Sequence, residues 1–171
     1  LDEYDVGKSV YMDILNRAKD YVYIMTPYMI MDGELENSLT FSAERGVDVR
    51  IILPHISDSF VAQALAKTHY KKLLDAGVKV YEYTPGFVHA KVFVSDDIKS
   101  VVGSINMDYR SLYHHFECAT YMYGARCIDD IKSDYKDTLA KCQQVTYESI
   151  KNDKWYIKLI GKVIKFVAPL I

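Results

Sequence analysis

Residues 89–106 read HAKVFVSDDIKSVVGSIN, and this stretch decides the fold class. Its apolar runs at 92–94 and 101–102 lie on either side of the polar pair Asp96-Asp97. Valine-rich runs around a short polar break are typical of two strands joined by a turn. We therefore predict strands over 87–94 and 100–103.

Outward from this pair, strand and helix patterns alternate along the chain. Helical spacing of apolar residues, with capping and stop signals, predicts helices after Gly7 and over 32–45, 58–75 and 128–145. Period-two patterns predict further strands over 21–27, 47–54, 78–83 and 117–123. This order predicts an α/β layered domain with a mixed, mostly parallel sheet flanked by helices.

Length and composition fit one globular domain. The chain has 171 residues, of which 50% are hydrophobic and 26% charged. Its net charge of −2 gives no general attraction to nucleic acid or anionic lipid, so such binding must be local. Neither a signal peptide nor a bilayer-spanning apolar run is visible, and the first residue is Leu1, so we expect a piece of a longer protein. A polar stretch at 149–154 separates a domain over 1–148 from a tail over 149–171.

The polar residues of the opening stretch are spaced to share a site. Residues two apart on a strand point to the same face, about 7 Å apart, so His89 and Lys91 are expected to project together. An imidazole beside an ammonium suits an anionic phosphate, with the imidazole available as a nucleophile. Ser104 and Asn106 follow the next strand and add hydroxyl and amide donors for phosphate oxygens. Gly103 allows the backbone to come close to a ligand.

The whole string resembles the signature of the phospholipase D superfamily, HxKxxxxD followed after six residues by GSxN. The matching positions are His89, Lys91, Asp96, Gly103, Ser104 and Asn106. The continuation MDYRSLYHHFE and the stretches AERGVDVRIILP and LLDAGVKVYEYTPGFVHAK are similar to the cardiolipin synthase family in particular. The resemblance implies a phospholipase D-like fold and a phosphatidyltransferase that joins two phosphatidylglycerol molecules into cardiolipin and glycerol. It also implies that no cofactor is used.

The resemblance implies roles for individual residues. His89 would attack the phosphodiester phosphorus and form a phosphohistidine intermediate, or act as the acid that releases the alcohol. Lys91, Ser104 and Asn106 would bind the phosphoryl oxygens. Glu117 would hydrogen-bond the far nitrogen of His89 and fix its tautomer.

Residues around these are expected to support the site. Asp96 is interpreted as structural, fixing the turn and neighbouring charges. Asp108 and Arg110 would pair with each other or shape the pocket, and His114 would line it. His114 and His115 are adjacent and therefore poor joint metal ligands, and no metal is expected.

Three residues follow predicted strands at the end where open α/β sheets bind ligands. Tyr28 follows the strand over 21–27, and His55 and Asp58 follow the strand over 47–54. They are candidate contacts to a lipid headgroup, and the alternative is that they are surface loop residues.

The tail over 149–171 has the pattern of a basic amphipathic helix. A helix would gather Lys154, Lys158, Lys162 and Lys165 on one face, with Trp155 near its start and apolar residues over much of the rest. Such a helix suits the surface of a membrane that contains anionic lipid. The alternative is that the apolar side docks on this domain or on a partner.

The signature occurs once, whereas phospholipase D catalysis uses two histidines from two copies. We expect the chain to be the C-terminal half of a two-copy enzyme, inactive alone, with the N-terminal half or a second copy of the chain as its partner. The expected setting is the bacterial cell membrane, in a cytoplasm-facing or peripheral part of a membrane-anchored enzyme. The alternatives are a homodimeric nuclease or phosphodiesterase and a non-catalytic lipid-binding module. The negative net charge argues against nucleic acid as a partner.

Overall fold

The computed structural model describes residues 4–153 and, in the tail, residues 157, 160, 161, 163 and 164. The helices are α1 Val6–Arg17, α2 Gly33–Glu44, α3 Phe60–Asp75, α4 Cys127–Leu139 and α5 Tyr147–Asn152. The strands are β1 Tyr21–Met25, β2 Met29–Ile30, β3 Asp48–Pro54, β4 Lys79–Tyr83, β5 Val92–Ser95, β6 Lys99–Gly103, β7 Met107–Asp108, β8 Ala119–Tyr123 and β9 Cys142–Gln144. These elements confirm the expected α/β class.

Seven strands form the main sheet in the order β8-β6-β5-β1-β3-β4-β9. In this sheet β1, β3 and β4 are parallel neighbours, and the other four pairings of its described strands are antiparallel. The sheet is therefore mixed, as expected, but antiparallel pairs outnumber parallel ones. The reason is that β5 and β6 form a hairpin and are followed by β8 at the sheet edge, with no crossover helix between these strands.

Helices cover both faces of the sheet, so its central strand β1 is buried on both sides. Along β1, Val22 and Ile24 face the core that α1, α2 and α3 share. The alternate residues Tyr21, Tyr23 and Met25 face a second core that includes residues of α4. A strand buried on both faces reads as a continuous apolar run, as YVYIM does.

Helix boundaries follow local capping. The Asp32 side chain accepts a hydrogen bond from the Leu35 N–H at the start of α2, and Ser59 caps α3. The helix predicted from residue 58 thus begins two residues later, at Phe60. Gly46 and Gly77 have φ of +96° and +93° just beyond the ends of α2 and α3, a backbone region that favours glycine.

Three sequence predictions are corrected by the structure. The helix predicted over 128–145 ends at Leu139, and residues 142–144 form β9 against β4. The strand predicted over 87–94 is limited to Val92–Ser95. The strand predicted over 117–123 begins only at Ala119. In each case strand pairing sets the boundary, which side-chain pattern alone does not encode.

The last residues of the signature are held by the structure around β7, the short strand that follows β6. β2 and β7 form a separate two-stranded parallel sheet, and the Met107 N–H donates to Thr26 Oγ1 at 3.3 Å. A single π-helical turn, Arg110–His114, follows. On the other side, the Tyr11 hydroxyl of α1 donates to the Ile105 carbonyl at 2.9 Å. The segment between β6 and β7 is therefore held from both sides.

The tail contacts the domain at Gly161. A Cβ on this residue would lie 2.5 Å from the Ala64 carbonyl oxygen and 2.8 Å from Thr68 Cγ2, so the tail backbone lies close against α3. At Gly161 this contact favours the alternative in which the tail docks on the domain. The predicted basic face and Trp155 lie outside the described residues. No helix in the described part of the chain has the length and apolar character needed to cross a bilayer.

Candidate active site

The candidate residues converge on one edge of the main sheet. The parallel strands β1, β3 and β4 end there, the antiparallel β5 begins there, and β6 ends there. The segment that leads into β8 lies at the same edge because β8 runs antiparallel to β6. The ends of six chain segments, from β1 near residue 25 to β8 near residue 119, therefore meet in one place.

His89 lies in the irregular segment that leads into β5, not on the strand itself. Its side chain is exposed, and its ring stacks on Phe87 with 5.4 Å between centroids. The Tyr28 ring meets it edge-on at 6.5 Å. The imidazole is thus accessible and held between two aromatic rings.

Lys91 immediately precedes β5, so the expectation that it shares a strand face with His89 is wrong. Its Nζ donates to the His89 carbonyl oxygen at 2.7 Å. Partial burial lowers the pKa of this ammonium, and the carboxylates of Glu117 and Asp108 oppose the shift. Within the described residues this half-buried ammonium makes one hydrogen bond, to a neutral acceptor, so it retains donors for an anionic ligand.

Ser104 and Glu117 extend the pairing of β6 with β8. The Ser104 N–H donates to the Cys118 carbonyl at 2.9 Å, and the Cys118 N–H donates to Ser104 Oγ at 3.0 Å. The Ser104 hydroxyl also donates to the Glu117 carboxylate. The structure thus places Glu117 against Ser104, whereas the resemblance implied a hydrogen bond to His89. Two strand spacings separate the segments of Glu117 and His89, about 10 Å, which explains why the nearer Ser104 is bonded.

Gly103 is required by the closeness of two backbones. A Cβ here would lie 2.3 Å from the Cys118 carbonyl oxygen and 2.4 Å from the Ala119 Cα. Any larger residue would push the β8 backbone away from β6, and with it the hydrogen bonds of Ser104. The glycine therefore serves strand packing at this position.

Asn106 presents an unpaired acceptor. Its Oδ1 is shielded from solvent and has no hydrogen-bond partner in the described structure. Leaving a buried polar atom unpaired is costly, and this oxygen only accepts hydrogen bonds, so a phosphoryl oxygen could be bound only by the amide nitrogen of the same side chain. The neighbouring Met107 fixes the position of Asn106 through its bond to Thr26.

Asp96 lies at the opposite edge of the sheet from His89. Its carboxylate accepts hydrogen bonds from the backbone N–H groups of Lys19, Asp20 and Tyr21 at 2.9–3.0 Å. Its own φ is +52°, a conformation that aspartate tolerates better than most residues. It joins the β5–β6 turn to the start of β1.

We expect the Asp96→Ala variant to lose about 3 kcal/mol of unfolding free energy, because three N–H groups lose a charged acceptor and alanine disfavours positive φ. Urea unfolding followed by circular dichroism measures this. The matched control is Asp130→Ala, an exposed aspartate in α4. A loss below about 0.5 kcal/mol would contradict a structural role for Asp96.

Three of the predicted substrate-binding residues line one cavity. Tyr28, Asp108 and Arg110 border a space of about 240 Å³, whose other walls include Ile30 and Leu65. Burial and a 2.7 Å hydrogen bond to Asp58 raise the pKa of Tyr28 to about 12, so it stays protonated.

The segment after Asn106 determines where these side chains lie. Asp108 does not pair with Arg110 in the described structure; its carboxylate accepts from the Ser111 N–H at 2.8 Å and begins the π-helical turn. His114 ends that turn and is exposed, with its ring 6.4 Å from that of Tyr113.

A buried ionic cluster anchors this turn, and the sequence did not indicate it. Lys8 is 7% exposed and donates to the Tyr113 hydroxyl at 2.7 Å. Burial lowers the pKa of Lys8, but hydrogen bonds to Asp32, Glu34 and Tyr113 outweigh that effect and raise it overall. In the sequence, this cluster is indicated only by a lysine at a buried position of α1, and that position does not reveal which acidic residues pair with it.

Comparison with known proteins identifies the family. Residues 11–139 match a family model described as "Cardiolipin synthase, PLD-like domain". The chain belongs to this family. A cardiolipin synthase from Halalkalibacterium halodurans is 31% identical over 98% of the chain, and an uncharacterized protein from Streptococcus mutans is 63% identical over all of it. The chain spans 33% and 37% of the lengths of these two relatives.

Solved structures agree on the fold. A phospholipase D family member, Nuc from Salmonella typhimurium, superposes with a TM-score of 0.70 at 17% identity, covering 81% of this chain and 90% of that one. The phosphatidylserine synthase of Haemophilus influenzae gives 0.71 at 14% identity, covering 95% and 44%. The phospholipase D-like fold expected from the sequence is therefore confirmed.

Proposed function

We propose that the chain is the C-terminal half-domain of a phosphatidyltransferase that joins two phosphatidylglycerol molecules into cardiolipin and glycerol. The observation that carries this proposal is the convergence of His89, Lys91, Ser104 and Asn106 on one sheet edge in a member of the cardiolipin synthase family. An exposed imidazole, an ammonium and amide and hydroxyl groups form a site suited to a phosphodiester.

In the first proposed step, His89 attacks the phosphorus of one phosphatidylglycerol. A nitrogen–phosphorus bond forms, and the bond from phosphorus to the glycerol oxygen breaks. A second histidine, from the partner half, protonates that oxygen and releases glycerol. Lys91, the Asn106 amide nitrogen and the Ser104 hydroxyl, which must turn from the Glu117 carboxylate to donate, bind the phosphoryl oxygens while charge builds on them.

In the second step, a glycerol hydroxyl of another phosphatidylglycerol attacks the same phosphorus. Its proton passes to the second histidine, now acting as a base, and the nitrogen–phosphorus bond breaks. Cardiolipin leaves, and both histidines return to their starting states. The alternative is that His89 acts as the acid and the histidine of the partner half attacks the phosphorus.

The partner half is proposed to bind beside β8. This strand ends the sheet, and Phe116, Tyr121 and Tyr123 are 82%, 46% and 70% exposed around it. An edge strand with exposed aromatic side chains suits a protein contact. The greater length of the relatives supports an N-terminal half as the occupant, with a second copy as the alternative. We place the assembly at the bacterial cell membrane, where its lipid substrates lie.

The test is product analysis of the complete two-copy enzyme with phosphatidylglycerol vesicles. We expect cardiolipin and free glycerol in equal amounts, because each transfer releases one glycerol. Phosphatidic acid as the sole lipid product would indicate a hydrolase. Cleavage of plasmid DNA, with the lipid unchanged, would establish the nuclease alternative.

A further inference from the structure

A second imidazole lies at the reactive edge and is held by a buried carboxylate. His55 follows β3 directly, and its Nδ1 lies 2.7 Å from Glu82 Oε2. Glu82 is 6% exposed. It also accepts from the Tyr70 hydroxyl at 3.1 Å and from Gln143 Nε2 at 3.2 Å. Three donors thus converge on this carboxylate, so its position is well determined.

These contacts fix which nitrogen of His55 faces outward. A carboxylate only accepts hydrogen bonds, so Nδ1 must carry the proton that lies between it and Glu82. Gln143 Nε2 is 2.8 Å from Nδ1, and its hydrogens serve the Glu82 carboxylate because Nδ1 has no free lone pair. In the neutral ring, Nε2 is then an acceptor, on a side chain that is 44% exposed.

Strand register brings the segments that carry His55 and His89 to the same end of the main sheet. Met25 of β1 pairs with Ile52 on one side and with Val92 on the other. His55 is three residues beyond Ile52, and His89 is three residues before Val92, at the same sheet edge. Two strand spacings, about 10 Å, separate β3 from β5. That is the span of a phosphodiester with its polyol headgroup.

The loop that carries His55 is joined to the His89 region by side-chain contacts. The Tyr28 hydroxyl donates to the Asp58 carboxylate at 2.7 Å, and the Tyr28 ring meets the rings of Phe87 and His89. Gln63 holds the same loop through the His55 carbonyl at 2.7 Å. Asp58 is itself exposed. The rim beside His89 therefore carries two acceptors, the Asp58 carboxylate and His55 Nε2.

We propose that His55, positioned by Glu82, and Asp58 form the subsite that binds the hydroxyl groups of the acceptor alcohol. This inference rests on the proposed phosphatidyl transfer. The two hydrogen-bond acceptors on this rim, the Asp58 carboxylate and His55 Nε2, suit hydroxyl donors, and a polyol headgroup supplies such donors. The phosphate remains with Lys91, Ser104 and Asn106, and the polyol extends along the edge toward β3.

Two substitutions of His55 distinguish a role in binding the acceptor alcohol from a role limited to the hydrogen bond with Glu82. Asparagine places its amide where Nδ1 lies and still donates to Glu82, but it does not reach the rim. Glutamine reaches the position of Nε2 and offers an acceptor there. A role limited to satisfying Glu82 would be preserved by His55→Asn, whereas a role in binding the alcohol would be preserved in part by His55→Gln.

The experiment uses the complete two-copy enzyme, phosphatidylglycerol vesicles and radiolabelled glycerol as acceptor. Exchange of glycerol into the lipid is measured against glycerol concentration, and hydrolysis to phosphatidic acid is measured in the same samples. We expect His55→Asn to raise the half-saturating glycerol concentration about tenfold, the effect of one lost hydrogen bond, and so to lower the ratio of exchange to hydrolysis at subsaturating glycerol. We expect His55→Gln to stay within about threefold of the parent.

Unchanged glycerol dependence in His55→Asn would overturn the inference. So would an equal loss of exchange and hydrolysis in a variant that unfolds at the parent temperature, because the effect would then not concern the acceptor. If the parent enzyme transfers nothing to any alcohol, the proposed function itself fails. The two failures are therefore distinguishable.

Discussion

The His89→Ala variant of the complete enzyme is expected to form cardiolipin at least about 10⁴-fold more slowly than the parent. Alanine removes the group that forms the bond to phosphorus, and loss of a nucleophile is among the costliest single changes in an enzyme. The fold should persist because the His89 side chain is exposed and lies outside β5.

Thin-layer analysis of lipids from phosphatidylglycerol vesicles measures this effect. His115→Ala is the matched control, since His115 is an exposed imidazole that has no part in the proposed site. Both variants should unfold at the parent temperature. Normal cardiolipin output from a folded His89→Ala protein would remove His89 from the mechanism.

The chain alone is expected to fold but to make cardiolipin far more slowly than the complete enzyme. The expected loss is about 10² to 10⁴-fold, because that is the usual contribution of a general acid. Folding is expected because helices cover both faces of its sheet with continuous cores. Transfer is not expected, because our proposal assigns the opposed histidine and half of the phosphate-binding donors to the partner half.

An assay over a range of chain concentrations tests this expectation. The exposed aromatic residues around β8 favour weak self-association, so the order of the reaction matters as much as its rate. Activity that rises with the square of concentration would show two copies assembling one site, and the homodimer would replace the half-domain in our proposal. Full activity proportional to concentration would mean that one signature suffices.

Much of this architecture was predictable because burial and side-chain period coincide. The run YVYIM is apolar at every position since β1 is buried on both faces. Asp32 indicates a helix start because its side chain can cap the helix, and the structure shows that bond to the Leu35 N–H. The spacing of the signature predicts two strands joined by a turn, which places Ser104 near Lys91. In the structure the Lys91 carbonyl accepts a hydrogen bond from the Gly103 N–H at the end of this β5–β6 hairpin.

The remaining features depend on partners that are distant in sequence. β9 reads as the end of a helix, and it becomes a strand because β4 offers an unpaired edge. The contact of Glu117 with Ser104 follows from strand register, which a motif does not contain. Glu82 did leave a signal: it shares the buried face of β4 with Val80, and a carboxylate at a core position implies a partner. The identity of that partner, His55, required the fold.

The short strand β9 determines where the domain can be cut. The family match ends at residue 139, three residues before β9 begins. A chain trimmed to that match would lose the backbone partner of β4 and the Gln143 donor to Glu82. The exposed β4 edge would then be free to pair with other molecules, which promotes aggregation. The folding unit therefore extends past the recognisable sequence, at least through Val145, whose N–H donates to the Val80 carbonyl at 2.9 Å.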